Sequence, residues 1–209
     1  MKNTRSKHLI FYAHGLPGSS AELDYCIPNI DHDLIVLPPN SLKAFDEAMK
    51  KAGADSASII GFSFGGMTAI EITSARPSQV RELKLIAPCA PLELGDFLDD
   101  AAGGAVFKAA IKGGAGFKIL VAVQAAAMRF LPGPLIKNMF ATSPDVEKEL
   151  LKDPAFIALL KAAARSSLIE DKAGYQAAFL RYVAPWADKV KAVNCPVDIW
   201  HGSADGWAP

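Results

Sequence analysis

Short apolar runs and helix-spaced apolar positions alternate along the first part of the chain, the pattern of βαβ units around a parallel sheet. The run His8–Ala13 (HLIFYA) predicts a strand and ends in the Gly-, Pro- and Ser-rich loop HGLPGSS. Leu34–Leu37 predicts a second strand, closed by Pro38-Pro39. Ser41–Ala52 has helical spacing, with Leu42, Phe45, Ala48 and Met49 on one face and Gly53 where a C-terminal cap belongs. Ser58–Gly61 predicts a third strand, followed at once by FSFGG and a helix over Met67–Ala75; Leu83–Ala87 predicts a fourth, ended by PCAP. From Leu92 to about Val193 the alternation stops. Alanine, leucine and lysine dominate there, with breaks at Gly103-Gly104, Gly113-Gly114, Pro132-Gly133-Pro134, Pro144 and Pro154, so this stretch is expected to be helical throughout. Pro196–Trp200 predicts a fifth strand, followed by HGSADGWAP. The organisation expected is an α/β core over 1–91, a helical insertion over 92–193 and a return to the core over 194–209.

Composition narrows the function classes. The 209 residues carry 22 basic and 22 acidic side chains, which leaves no basic footprint for a nucleic-acid partner. The apolar part of the N-terminus, LIFYA, is shorter than the roughly 7–15 residues of a signal-peptide core. The longest apolar stretch, Ala115–Leu131, is interrupted by Lys118, Gln124 and Arg129, where a membrane span needs about 20 mostly apolar residues. It therefore reads as a buried or amphipathic helix, with no stable membrane insertion. Cys26, Cys89 and Cys195 are odd in number and widely spaced, which suggests reduced thiols and a cytoplasmic address, with no pair at metal-ligand spacing.

The chemistry concentrates at two strand ends. Gly61-Phe62-Ser63-Phe64-Gly65-Gly66 fits G-x-S-x-G between a strand and a helix. A sharp strand-to-helix turn there would force the serine into strained backbone angles and expose its hydroxyl at a helix N-terminus, whose dipole favours developing negative charge. Ser63 is thus the candidate nucleophile, and the backbone N–H of Phe64 a candidate oxyanion donor. The loop His14-Gly15-Leu16-Pro17-Gly18 follows the first strand, and the N–H of Leu16 is the candidate second donor. A phosphate loop is excluded, because GxxxxGK[ST] is absent.

HGLPGSS, GFSFGG and HGSADGWAP, in this order and on strand ends, resemble the α/β-hydrolase superfamily, in its serine-nucleophile branch, over nearly the whole chain. The resemblance implies an α/β fold with a central, mostly parallel sheet and an inserted helical cap. It implies that Asp205, in a segment similar to the family's G-x-x-D-x-x-x-P, is the acid that orients a histidine; Asp198, inside a strand, and Asp188, in a helical stretch, rank below it. It gives His14 a loop-shaping role, and in the family's chain order the catalytic histidine comes after the acid. His8, His14, His32 and His201 all have another expected role, so no base is present in the 209 residues. A final strand, the histidine and a covering helix are then expected to be missing from the C-terminus, and the fifth strand to be left as a sheet edge. Phe62, Trp207, Phe107, Phe117 and Met128 are candidate substrate-binding residues, with Leu120, Val121 and Phe130 as further candidates for an apolar pocket in the cap. The activity implied is hydrolysis of an ester or related acyl bond of a small substrate with an apolar part, through an acyl-enzyme, with no metal or organic cofactor. The serine speaks against the haloalkane dehalogenase and epoxide hydrolase branches, and Phe64 against proline iminopeptidases. The alternatives are a C–C hydrolase or acyltransferase of the same fold, or a non-catalytic binding protein that lacks the base.

Overall fold

The computed structural model describes residues 7–26, 34–39, 41–99 and 101–208. Its strands are β1 (His8–Ala13), β2 (Leu34–Leu37), β3 (Ser56–Phe62), β4 (Val80–Ile86) and β5 (Val197–Trp200). Its helices are α1 (Ala21–Cys26), α2 (Leu42–Ala52), α3 (Gly65–Ala75), α4 (Gly104–Lys112), α5 (Gly114–Phe130), α6 (Pro132–Met139), α7 (Asp145–Leu150), α8 (Pro154–Arg165), α9 (Lys172–Tyr182) and α10 (Ala187–Lys191). The chain forms two compact units: Met1–Gly15, Asp31–Cys89 and Trp186–His201 make the first, and Leu16–Ile30, Ala90–Pro185 and Gly202–Pro209 the second.

The first unit is built on a sheet of order β2-β1-β3-β4-β5, parallel throughout. From β1 the chain moves outward to β2 and then returns past β1 to β3. The carboxyl ends of β1 and β3 therefore flank the point where strand order reverses, the place where open α/β sheets bind ligands. Phe11, Ile59, Leu83 and Leu37 are buried from these strands, and the Phe11 ring lies 4.7 Å from that of Phe45 on α2. β3 starts two residues before its apolar run because the β1 ladder recruits Ser56 and Ala57, opposite His8 and Leu9. α3 is buried along most of its length, from Gly65 to Thr73, and so shows no amphipathic stripe. Its buried Glu71 is paired with Lys189 of α10 at 2.5 Å. Among the described residues β5 is a sheet edge, with Ile199 and Trp200 exposed and the Lys84 ammonium 5.7 Å from the Trp200 ring.

A polar chain crosses this sheet. His8 Nδ1 bonds Ser56 Oγ at 2.9 Å and Nε2 bonds Ser58 Oγ at 2.8 Å, while Ser58 donates to Glu82 at 2.8 Å. Lys84 then bridges Glu82 (3.4 Å) and Asp198 (2.9 Å). The Ser58 hydroxyl first, and Lys84 after it, hold the Glu82 carboxyl below its ordinary range. A carboxyl depressed in the folded state contributes stability above its unfolded value and loses it as pH falls through the folded one. Ser58→Ala removes the larger cause, so the acid unfolding transition, followed by far-UV circular dichroism, is expected to move to higher pH.

The second unit holds α1 and α4 to α9. The glycine and proline breaks in the sequence become helix starts: α4 at Gly104, α5 at Gly114, α6 at Pro132 and α8 at Pro154. Proline suits the first helical turn because the N–H it lacks would have no intrahelical acceptor. Asp153 caps α8, accepting from the Ala155 N–H at 2.8 Å, and also accepts from Tyr25 of α1 at 2.7 Å. The short α1 is held by this bond, by Tyr25–Phe156 ring packing at 5.6 Å and by a local cap, with Glu22 accepting from the Ser19 N–H at 3.1 Å. The interior is aromatic: Phe179 lies 5.0 Å from Phe107, 4.8 Å from Tyr175 and 6.4 Å from Phe117, with Tyr182 5.1 Å from Phe107. Burial pushes the Tyr175 hydroxyl far up from its ordinary value.

Candidate active site

Ser63 sits between β3 and α3 with φ of 51°, left-handed backbone that a residue with a Cβ seldom adopts. Three backbone bonds hold it there. Its N–H donates to Ile86 O at 2.9 Å, and its carbonyl accepts from Gly66 N–H at 2.9 Å and Cys89 N–H at 3.3 Å. Strain of this kind costs on the order of 1–3 kcal/mol and persists where the surroundings over-determine it.

The flanking glycines are dictated by close approach. A Cβ on Gly65 would lie 2.1 Å from Ala13 O and 2.7 Å from His14 O, so the start of α3 packs on the end of β1. A Cβ on Gly61 would lie 2.8 Å from that of Ala69 and 2.9 Å from the Cα of Gly66. The elbow is thereby pressed against the carboxyl end of β1 on one side and its own helix on the other. His14, at that end, donates from Nδ1 to the Gly15 carbonyl at 2.8 Å, so its ring is engaged with its own loop. Phe64, the residue next to Ser63, is buried and stands at the N-cap position of α3.

The structure adds a residue that sequence reasoning missed. Cys89 Sγ lies 3.8 Å from Ser63 Oγ. It arrives there because β4 ends in a second strained residue, Ala87, with φ of 43°, whose N–H is anchored to Trp200 O at 2.7 Å. That turn lays Pro88 on Gly66, where a Cβ would be 3.0 Å from the proline Cβ, and brings Cys89 beside the serine. The nearest sequence signal was the PCAP segment at a strand end, which looks like an ordinary loop.

Leu16 and Asp205 belong to the second unit, Ser63 and Phe64 to the first. Asp205 is held by its own loop: Oδ1 accepts from Trp207 N–H at 2.8 Å and Ala208 N–H at 3.0 Å, and its N–H donates to Gly202 O at 3.2 Å. The loop is tied to the helices of its unit. Ala102 N–H donates to Gly206 O at 2.7 Å, and the Trp207 indole donates to Ser143 and Glu147, both at 3.2 Å, and packs edge-on against Phe140 at 5.2 Å. Phe107, Phe117 and Met128 are buried among the helices, whereas Phe130 is exposed on α5; Phe62 ends β3. Asp198 is paired with Lys84 and Asp188 lies in α10. His8 is bonded to two serines and His201 follows β5; His32 lies outside the described residues. An open cavity of about 630 Å³, lined by Met49, Asp55, Arg76 and Gln79 among others, is at the amino-terminal ends of the strands, away from Ser63.

This architecture, a parallel five-stranded sheet with flanking helices and a strained serine at the β3–α3 elbow, is the α/β-hydrolase fold. Solved structures similar to it include a bromoperoxidase from Bacillus anthracis (TM-score 0.64, 13% identity, 98% of this chain and 76% of that one). An acetylester hydrolase from Corynebacterium glutamicum is similar at TM-score 0.62, with 11% identity over 100% of this chain and 73% of that one. An esterase from Exiguobacterium antarcticum is similar at TM-score 0.59, with 13% identity over 98% of this chain and 76% of that one. No protein-family model and no curated protein matches the chain. No helix among the described residues is long and apolar enough to cross a membrane.

Proposed function

We propose that the protein is a serine hydrolase acting on an ester, or related acyl bond, of a small substrate with an apolar part. The observation that carries this is the left-handed Ser63 at the elbow, over-determined by backbone bonds and placed where strand order reverses. Ser63 attacks the carbonyl carbon. Its proton passes to a general base, and the N–H groups of Phe64 and Leu16 hold the oxyanion. Collapse of the tetrahedral adduct expels the alcohol and leaves an acyl-serine, which water hydrolyses. Asp205 is assigned as the carboxylate that orients a histidine base. Residues 92–193 serve as a cap, between core segments 1–91 and 194–209. Phe62 and Trp207 contact the apolar part of the substrate, while Phe107, Phe117 and Met128 act on it through the shape of the cap. The acetylester hydrolase and the esterase among similar structures support hydrolase chemistry in general and leave the substrate to be found.

A second reading, a binding protein without catalysis, is favoured by one observation. Among the described residues the side-chain partner of Ser63 Oγ is a thiol, and His8 and His14 are engaged elsewhere. Incubation with a fluorophosphonate followed by intact mass decides between them. One adduct, lost in Ser63→Ala, is the result expected of the hydrolase. A folded chain that takes no adduct would put the binding reading ahead.

A further inference from the structure

Helix α5 has two apolar faces, and one of them is turned outward. Phe117, Val121 and Met128 are buried within the helical unit, as an amphipathic helix requires. On the opposite side of the wheel, Ile119, Ala122, Val123, Ala126 and Phe130 recur at helical spacing, and all are exposed: Ile119 by 63%, Val123 by 59% and Phe130 by 74%. Leu131, the residue after the helix, is also exposed, by 60%. A continuous apolar stripe about three turns long is more than the scattered single hydrophobes of an ordinary surface.

The charge on either side of it along the chain has one sign. From Ala101 to Pro144 every charged side chain is basic: Lys108, Lys112, Lys118, Arg129 and Lys137. Lys108 is neutralised by Asp99. The other four have no ion-pair partner among the described residues. Lys118 and Arg129 fall on the same border of the stripe at helical spacing, where long side chains can lay their methylenes along apolar surface and extend their charges past it. The chain as a whole is balanced, with 22 basic and 22 acidic groups, so this cationic, apolar surface is a local concentration.

We propose that the outer face of α5 is a docking surface for an anionic lipid bilayer, on which the helix lies in the interface. Apolar side chains flanked by cations are the chemistry that acyl chains under anionic headgroups match, and no α5 side chain carries a negative charge that would oppose it. A cationic border argues against a second copy, since two such faces brought together would place like charges opposite one another. The inference does not rest on the hydrolase reading, because it makes no use of Ser63.

The test is cosedimentation of the full chain with vesicles of phosphatidylcholine alone and of phosphatidylcholine mixed with phosphatidylserine. The wild type should bind the mixed vesicles, more weakly as salt rises, and the neutral ones far less. Ile119→Ser/Val123→Ser/Phe130→Ser alters only exposed side chains and should lose at least tenfold in binding with an unchanged circular dichroism spectrum. Lys118→Glu/Arg129→Glu should lose about fivefold or more per charge. Ser63→Ala should bind like the wild type whether or not the protein hydrolyses esters. Failure to bind mixed vesicles, or equal binding to both kinds, would overturn the proposal. So would a wild-type dimer that the triple serine variant converts to monomer.

Discussion

Gly65→Ala is expected to destabilise the protein by on the order of 4 kcal/mol and to abolish fluorophosphonate labelling of Ser63. The added Cβ would sit 2.1 Å from Ala13 O and 2.6 Å from Ala13 C, both main-chain atoms that cannot rotate aside. Relief requires moving the start of α3 away from the end of β1. That motion breaks the Gly66 N–H···O=C bond to Ser63 and releases the residue from its left-handed conformation. The substitution would therefore remove stability and the geometry of Ser63 together. Gly116→Ala is the matched control: nothing lies within 4 Å of the added Cβ, and alanine favours a helix by about 1 kcal/mol. Urea denaturation of the two variants, alongside labelling, measures the difference. Equal stability in both would mean that the elbow is not pressed against β1.

Phe107→Ala should cost about 3–5 kcal/mol, read from the shift of the urea or thermal transition. The side chain is buried, with the rings of Phe179 and Tyr182 at 5.0 and 5.1 Å, and truncation would leave a cavity that two rigid rings fill poorly. Each ring pair also contributes beyond its buried area, by about 1 kcal/mol. Phe107→Leu, which keeps most of the volume, should recover more than half of the loss. A residue whose main office is to contact substrate would give the opposite pattern, with stability nearly unchanged and a raised KM.

Much of the fold was legible because its signals are local. The His8–Ala13 and Leu34–Leu37 strands have the bounds that their apolar runs indicated, and Gly53 ends α2 in the left-handed cap that its position suggested. Prolines and glycines between 92 and 193 mark helix starts because they act on one or two dihedrals. The misses have non-local causes. β3 and β4 begin earlier than their apolar runs because ladder bonds to neighbouring strands recruit polar residues such as Ser56 and Glu82. α1 is the exception in part: it packs on Asp153 and Phe156, far away in sequence, but its start also carries a local signal, with Glu22 accepting from the Ser19 N–H. The apolar stretch Ala115–Leu131 is amphipathic in an unusual sense: one apolar face is buried and another is presented outward.

The candidate site divides in the same way. The motif around Ser63 already contained its glycines, its serine and its strand-to-helix context, since a tight elbow is a local steric problem with few residue solutions. That Gly65 is needed because β1 passes beneath it, and that Cys89 lies beside the serine hydroxyl, became visible only with the sheet assembled. Both depend on which strands become neighbours and on the turn at Ala87. Neighbour relations in a parallel sheet arise from crossovers tens of residues long, and no window along the chain contains both partners. By itself the sequence determined the fold class, the bounds of β1 and β2 and the strand-to-helix elbow at Ser63, all of which follow from residue-level preferences. The tertiary structure decided what surrounds that serine, because surroundings are a property of packing and not of any one segment.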